Sequence, residues 1–187
     1  DARIEDTWRR CAQALAAVEA EPKRAECEAR FYAALEGFKF LPGGRILAGA
    51  GTGRAVTLFN CFVMGEIPDN MGGIFAQLRE AALTLQQGGG TGYDFSTLRP
   101  RGAPVVATGA DASGPLSFMD VWDSMCRTIM SAGQRRGAMM GCLRIDHPDI
   151  ECFIDAKREP GRLRNFNLSV LVPDAFMAAL DAGADWP

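Results

Sequence analysis

The sequence predicts an α/β fold in which two leading helices are followed by alternating strands and helices. Residues 3–20 and 24–35 carry apolar side chains at three- and four-residue steps, the spacing of amphipathic helices. Beyond Arg54, short apolar runs rich in β-branched and aromatic residues alternate with further helical patterns. Such alternation is typical of a parallel sheet or barrel whose strands are connected by helices.

Composition and charge exclude several classes of protein. The 187 residues are 48% hydrophobic and 23% charged, which is ordinary globular usage. The net charge of −3 gives no general basic surface for nucleic acid, and no apolar run reaches transmembrane length. The sequence opens with acidic residues and arginines around Ile4 and Trp8, so we expect no secretory signal. We therefore expect a cytoplasmic protein without nucleic-acid or membrane partners.

The cysteines argue against a structural metal site or a disulfide scaffold. No two of the six form a C-x-x-C pair, and His147 is the only histidine, so we expect no metal. Reduced thiols are the default in a cytoplasm. We interpret four cysteines on predicted helices as core residues: Cys11, Cys27, Cys126 and Cys152.

The N-terminal helices are predicted to be short and to carry no chemistry. Pro22 ends the first, whose inward side chains include Trp8 and Val18, and Gly37 ends the second. Residues 38–54 are rich in glycine and predict a loop.

A buried strand is predicted at residues 57–64, with Cys61 near its middle. The run is short and apolar, and glycines flank it on both sides. A buried free cysteine behaves as a small hydrophobe. On this run alone, the Cys61 thiol is either inert filling or a group held rigidly at a reaction site.

Two longer helices follow that strand. Asp69 is a good N-cap for a helix that runs to about Gln86, and a glycine run ends it. Residues 93–95 predict a short strand. Ser113 then offers a hydroxyl cap, before a proline, for a helix that ends at Gly133.

The last third of the sequence repeats the strand–helix pattern. Strands are predicted at 138–145 and 165–172, and a helix starts after His147, which we interpret as a cap or surface group. A final helix covers 173–183. The sequence stops where another strand would be due, and four strands close a barrel poorly, so we expect the front part of a longer protein.

Several of these segments together resemble the catalytic subunit of ribonucleotide reductase, and the best match is the adenosylcobalamin-dependent class II. One glycine run would be weak evidence, but five segments in the same order, within residues 40–175, are specific. The matching segments are residues 58–63, 88–96 with 98–100, 112–119, 134–138 with 140–141, and 147–150.

The resemblance implies a fold and a reaction. It implies the first part of a ten-stranded α/β barrel over residues 41–187, preceded by a helical segment of residues 1–40. In this family a thiyl radical abstracts the ribose 3′-hydrogen, water leaves C2′, and two thiols end as a disulfide. Cys61 matches the first of those thiols. Adenosylcobalamin, a ribonucleotide substrate, diphosphate rather than triphosphate, and a thioredoxin-type reductant follow by the same resemblance.

The family's site for deoxynucleoside triphosphate effectors, which lies between the subunits of a homodimer, also projects onto this sequence. Asp69, Gln86 and Arg99 match positions in it. For Asp69 the alternative is a helix cap, and for Arg99 it is a solvated arginine on a turn. Residues 101–113 match a first flexible specificity loop.

A second specificity loop, residues 132–138, holds three polar side chains that the resemblance assigns to the effector: Gln134, Arg135 and Arg136. The alternative is a solubilising turn. Gly43, Gly44 and Ser113 are assigned to the substrate, although glycine also serves any turn.

Two other functions remain open. The radical cysteine, the second thiol and the main phosphate loop are expected downstream, so this chain alone should not turn over ribonucleotides. A stand-alone or degenerate nucleotide-binding module without catalysis is one alternative. A class I large subunit, working with a separate radical-generating subunit, is the other.

Overall fold

The computed structural model divides into two compact units, residues 1–60 and 61–187. It describes residues 1–107, 109–129, 137–158 and 160–186. In that part of the chain, no helix is long and apolar enough to cross a membrane.

The first unit is helical, as the apolar spacing predicts. A small core joins its helices around Trp8, Cys11, Leu35 and Ala50. Its α-helices are α1 Ile4–Ala16, α2 Glu21–Leu35 and α3 Gly44–Gly49.

Two boundaries in the first unit differ from the prediction. Helix α1 ends at Ala16, so Val18 is exposed, and Pro22 lies in the first turn of α2 instead of ending α1. Helix α3 lies inside the predicted loop. Ile46 and Leu47 pack against the core there, and this burial outweighs the low helix propensity of the surrounding glycines.

The second unit confirms the α/β prediction. Its main sheet has four parallel strands in the order β1-β2-β5-β6, and a separate antiparallel hairpin joins β3 to β4. The strands are β1 Cys61–Val63, β2 Gly90–Asp94, β3 Pro104–Val105, β4 Ala110–Asp111, β5 Met139–Arg144 and β6 Phe166–Leu171. The helices are α4 Met71–Gln86, α5 Pro115–Thr128, α6 Ile150–Asp155 and α7 Asp174–Asp181.

One face of the sheet carries the core of the second unit. Tyr93, Phe95, Trp122 and Phe166 are buried there, with ring centroids 5.7–6.1 Å apart. Successive side chains on a strand point to opposite faces, so the residues between these aromatic positions lie on the other face. We call that second surface the open face, and it carries Asp94 and Cys142, which are register partners.

The predicted strand at residues 57–64 is shorter and less buried than the sequence suggests. Only Cys61–Val63 pair, and Val63 is 98% exposed. The strand lies at an edge of the sheet, where β2 is its one neighbour in the described chain. Before it, the Thr57 hydroxyl accepts a hydrogen bond from the Phe59 amide, a local turn that competes with strand pairing.

The cysteines divide by burial. Cys11 and Cys126 are buried, as predicted, and Cys27 is half-buried. The prediction for Cys152 is wrong, because its side chain is exposed on α6. That helix has only six residues, and Phe153 is the one that it buries.

Candidate functional site

A cavity of about 640 Å³ lies beside the start of α4, the segment before α5 and the β3–β4 hairpin. Its charged lining includes Asp69, Arg99 and Asp111, and its apolar lining includes Ile74 and Phe118. Outside the second loop, three residues match the effector site, and two of them, Asp69 and Arg99, therefore line one cavity.

Asp69 and Arg99 form an ion pair in that cavity. The Arg99 Nε donates to Asp69 Oδ2 at 2.7 Å, and an Nη donates to the Asp69 carbonyl at 3.2 Å. The two side chains are 32% and 38% exposed. Arg99 is thus held by a partner, unlike a purely solvated arginine. A guanidinium has five N–H donors, so others stay available for an anion.

Asp69 does not cap α4, so that prediction is wrong. The N-cap is Asn70, whose side-chain oxygen accepts from the Gly73 amide at 2.9 Å. The Asp69 carboxylate is engaged by Arg99, and the next residue supplies the cap. Adjacent Asp and Asn are both good caps, so local sequence does not distinguish them.

Gln86 lies at the opposite end of α4, about 22 Å along the helix axis from Met71. It is exposed and does not line the cavity. Its assignment to the effector stays a prediction. Gln134, Arg135 and Arg136 fall outside the described residues, and their assignment stays a prediction too.

The predicted first loop forms a hairpin at one side of the cavity. Gly102 donates to the Ala112 carbonyl at 2.9 Å, and Ala112 donates to the Ala103 carbonyl at 2.8 Å. Ser113 lines the same cavity, so this residue, assigned to the substrate, lies with Asp69 and Arg99.

Ser113 is not a hydroxyl cap for α5, which corrects the prediction. Gly114 occupies the N-cap position with φ +78°, and no side chain caps this helix. The Ser113 carbonyl instead accepts from the Ser117 hydroxyl at 2.9 Å. Glycine adopts this positive φ without strain, so the backbone turns into the helix at Gly114 without a capping side chain.

The lining of the cavity suits a ligand with an anionic group and an apolar planar group. The guanidinium of Arg99 can bind phosphate oxygens bidentately. Ile74, Leu98 and Phe118 supply apolar surface beside it. A nucleotide combines both chemical features.

Cys61 lies on a different part of the second unit and is exposed. Its register partner is Gly90, and Val63 faces Gly92, so β2 carries no side chain next to either residue on the open face. Phe62 points the other way, toward α4, where a Cβ on Gly89 would meet its ring at 2.8 Å. A ligand can therefore reach the Cys61 thiol, which is inconsistent with inert core filling.

Cys142 is on the open face but is too distant to pair with Cys61. From the register, it lies about 13 Å farther along the strands and about 10 Å across two of them. A disulfide needs Cα atoms within about 7 Å. Burial, together with the nearby Asp94 carboxylate, also raises the pKa of the Cys142 thiol, which disfavours its thiolate.

Gly43 and Gly44, assigned to the substrate phosphate, are at the start of α3 in the first unit. A Cβ at either position would meet no atom within 4 Å, so packing does not require glycine there. Their assignment stays a prediction. Within the described ranges, no cluster of three or more His, Cys, Asp or Glu could hold a metal ion.

His147 is buried and hydrogen-bonded, not a surface group. It is 7% exposed, its Nε2 lies 2.9 Å from the Leu98 carbonyl, and its Nδ1 lies 3.0 Å from the Asp149 amide nitrogen. This long-range contact has no signal in the sequence, because a histidine before proline does not indicate a partner 49 residues away.

Two family models match the chain. The model described as "Ribonucleotide reductase, all-alpha domain" matches residues 2–55, and "Ribonucleotide reductase, barrel domain" matches residues 59–187. Their junction falls close to the division between the two structural units.

Curated relatives agree with the family models. The chain is 46% identical over 153 residues to a "Vitamin B12-dependent ribonucleoside-diphosphate reductase" of Mycobacterium tuberculosis, covering 81% of this chain and 22% of that protein. A protein of the same name from Thermoplasma acidophilum is 42% identical, covering 81% and 20%. The "Ribonucleoside-diphosphate reductase subunit alpha" of Helicobacter pylori is 32% identical, covering 92% and 22%. The chain thus spans about a fifth of the length of these relatives.

Proposed function

This chain belongs to the ribonucleotide reductase family, and we propose that it forms part of an enzyme that reduces ribonucleoside diphosphates to deoxyribonucleotides. The observation that carries the proposal is the exposed Cys61 thiol on β1, next to the bare backbone of Gly90 and Gly92. This arrangement leaves room for a sugar ring against the thiol.

In the proposed reaction, the C2′–OH bond of the substrate is replaced by C2′–H. A thiyl radical, from a cysteine outside this chain, removes the 3′-hydrogen and later returns it. Cys61 and a second thiol supply two electrons and two protons, so that the products are a deoxyribonucleotide, water and a disulfide. A strand holds the Cys61 sulfur in position better than a loop would.

We propose that the Asp69–Arg99 cavity belongs to a site for deoxynucleoside triphosphate effectors. Its support is the ion pair at one end and the apolar surface of Leu98 and Phe118 beside it. Gln86, Gln134, Arg135 and Arg136 are proposed to complete the site in the assembled protein, which we expect to be a homodimer. Gly43, Gly44 and Ser113 stay proposed substrate contacts, although Ser113 lines the cavity that we assign to the effector.

Adenosylcobalamin is the proposed radical source, in line with the names of the relatives from Mycobacterium tuberculosis and Thermoplasma acidophilum. When bound, it would supply the radical that generates the thiyl. His147 is the only histidine in the sequence and both of its ring nitrogens are hydrogen-bonded, so no imidazole of this chain is free to bind the cofactor's cobalt.

A thioredoxin-type dithiol is proposed to reduce the disulfide after each turnover, and a cytoplasmic location fits such a reductant. The class I alternative is less favoured, because the relatives named as vitamin B12-dependent from the two organisms above are 42–46% identical and the Helicobacter pylori subunit is 32% identical. The stand-alone binding module is disfavoured by the accessible Cys61, which effector binding does not need.

The test is an activity assay on the full-length protein that contains this sequence. CDP reduction should require both adenosylcobalamin and a dithiol, and it should change when a deoxynucleoside triphosphate is added. Activity that instead requires a separate iron- or manganese-containing subunit would support class I. Nucleotide binding without any reduction would support the binding module.

A further inference from the structure

We propose that His147 and Asp149 are positioning residues that fix the backbone on both sides of Arg99 and thereby set the affinity of the effector cavity. This inference rests on the proposed effector function of the cavity. Neither residue lines the cavity itself. Each acts through the segment that carries Arg99.

The hydrogen bonds of His147 define one tautomer of its ring. A backbone carbonyl only accepts, so Nε2 carries the proton that is donated to the Leu98 carbonyl at 2.9 Å. A backbone amide only donates, so Nδ1 is unprotonated and accepts from Asp149 at 3.0 Å. Both hydrogen bonds therefore require the same tautomer, with the proton on Nε2, and the residue is 93% buried.

Asp149 holds the other side of the same segment. Its Oδ2 accepts a hydrogen bond from the Arg101 amide at 2.9 Å. His147 holds the Leu98 carbonyl, so the Leu98–Arg99 and Pro100–Arg101 peptide groups, which flank the Arg99–Pro100 pair, are bonded to residues just two apart in sequence. Leu98 and Arg99 line the cavity. Their backbone position is therefore fixed by two residues, His147 and Asp149, that do not line it.

Gly114, just after the hairpin, lies close to the same Asp149 carboxylate. A Cβ there would lie 2.8 Å from Asp149 Oδ2 and 2.9 Å from the Arg101 amide nitrogen. The two ends of the hairpin segment, Arg101 and Gly114, thus meet at one carboxylate. Loss of the Asp149 carboxylate would remove the acceptor of the Arg101 amide, next to the turn that carries Arg99.

The affinity of the cavity for a phosphate depends on this geometry, because Arg99 already uses two of its nitrogens to bond Asp69. Its remaining donors meet a phosphate only if the backbone places the guanidinium correctly. A side chain that must first be ordered binds more weakly than one held in place before binding. We call the contacts of His147 and Asp149 with Leu98 and Arg101 the backbone clamp.

Two substitutions of His147 separate the clamp from general stabilisation. His147→Asn keeps an oxygen that can accept from the Asp149 amide, as in an Asx turn, but is too short to reach Leu98. His147→Gln keeps a donor at about the position of Nε2 and loses the bond to Asp149. Each variant retains one of the two bonds, so a role in stability alone affects both similarly.

The experiment measures dissociation constants in the full-length protein. Each of dATP, dGTP, dCTP and dTTP is titrated into the wild type, and the tightest becomes the probe. His147→Asn should weaken the probe about tenfold, and His147→Gln should stay within about threefold of wild type. The thermal midpoints of the two variants, without nucleotide, should be similar.

The outcomes distinguish this inference from the proposed function. Wild-type protein that binds none of the four nucleotides would overturn the effector site and the clamp together. Wild-type binding with equal affinities in the two variants would overturn the clamp alone. Weaker binding in His147→Gln than in His147→Asn would also overturn it, because the bond to Leu98 would then not be the important one.

Discussion

Asp69 and Arg99 are 30 residues apart in sequence, yet the Asp69 carboxylate accepts a hydrogen bond of 2.7 Å from the Arg99 guanidinium at the cavity. The local sequence places one before a helix and the other on a turn, and only the family resemblance puts both in one site. Their pairing holds a positive group at the cavity and leaves it partly exposed. The guanidinium keeps further N–H donors beyond the two that bond Asp69.

Replacement of Arg99 by alanine should separate ligand binding from stability. We expect deoxynucleoside triphosphate affinity to fall about ten- to hundredfold, because charge-assisted hydrogen bonds to phosphate are lost. The free energy of unfolding should change by less than about 1 kcal/mol, because the pair with Asp69 is partly exposed. Calorimetric titration and urea denaturation measure the two quantities.

Arg158→Ala is the matched control for that experiment. Arg158 also pairs with an aspartate, Asp155, but it is 80% exposed and does not line the cavity. It should leave nucleotide affinity unchanged. Equal affinities in wild type and Arg99→Ala would remove Arg99 from the proposed effector site.

Much of the fold follows from the sequence, because apolar periodicity is a local signal. The parallel strands at Met139–Arg144 and Phe166–Leu171 lie within one or two residues of their predicted limits. The prediction was weaker at Cys61, where apolar letters do not tell an edge strand from a central one. Burial of a strand depends on its neighbours in the sheet, which are distant in sequence.

The candidate site was less predictable from the sequence than the fold. The resemblance selected Asp69 and Arg99, and the structure brings them together, but it does not bring Gln86 to the same cavity. The contact of His147 with the Leu98 carbonyl could not be predicted from either residue, because a backbone acceptor has no sequence signature. Side-chain partners of this kind emerge only from the tertiary fold.

The capping of α4 gives a second prediction. Asn70→Ala should lower the free energy of unfolding by about 1 kcal/mol, because the Gly73 amide loses its acceptor at the first turn. Asn70→Asp should restore most of that loss, since aspartate is an equally good cap. Chemical denaturation without nucleotide measures both variants. A stable Asn70→Ala protein would mean that water or Asp69 serves the same amide.

Gly114 and Gly102 give a matched pair for backbone crowding. Both have positive φ, +78° and +82°, but a Cβ on Gly102 would meet nothing within 4 Å. Gly102→Ala should therefore cost only the strain of the left-handed backbone, about 1–2 kcal/mol. Gly114→Ala adds a clash with backbone and with Asp149, and it should cost at least about 1 kcal/mol more.

Denaturant midpoints of the two glycine variants measure that difference. Gly114→Ala should also weaken nucleotide binding, because the Arg101 amide is pushed from Asp149. Equal losses of stability in the two variants would show that the protein relaxes around residue 114 without cost.

The six thiols should react with iodoacetamide in an order set by burial. Cys61 and Cys152 are exposed and should be alkylated first in the native protein. Burial raises the pKa of the Cys11 and Cys126 thiols, which lowers their thiolate fraction as well as their access to reagent. Mass spectrometry of timed samples gives the order. Early labelling of Cys126 would contradict the packing of α5.

Cys61→Ser tests the proposed chemistry most directly, and Cys152→Ser is its control, because both thiols are exposed and both substitutions are nearly isosteric. In the full-length protein, Cys61→Ser should abolish repeated turnover of CDP with thioredoxin, since serine cannot form the disulfide that returns electrons. Deoxynucleoside triphosphate affinity should be unchanged, because Cys61 does not line the effector cavity. Cys152→Ser should keep wild-type turnover. Sustained turnover by Cys61→Ser would place the redox pair elsewhere and leave β1 with a structural role.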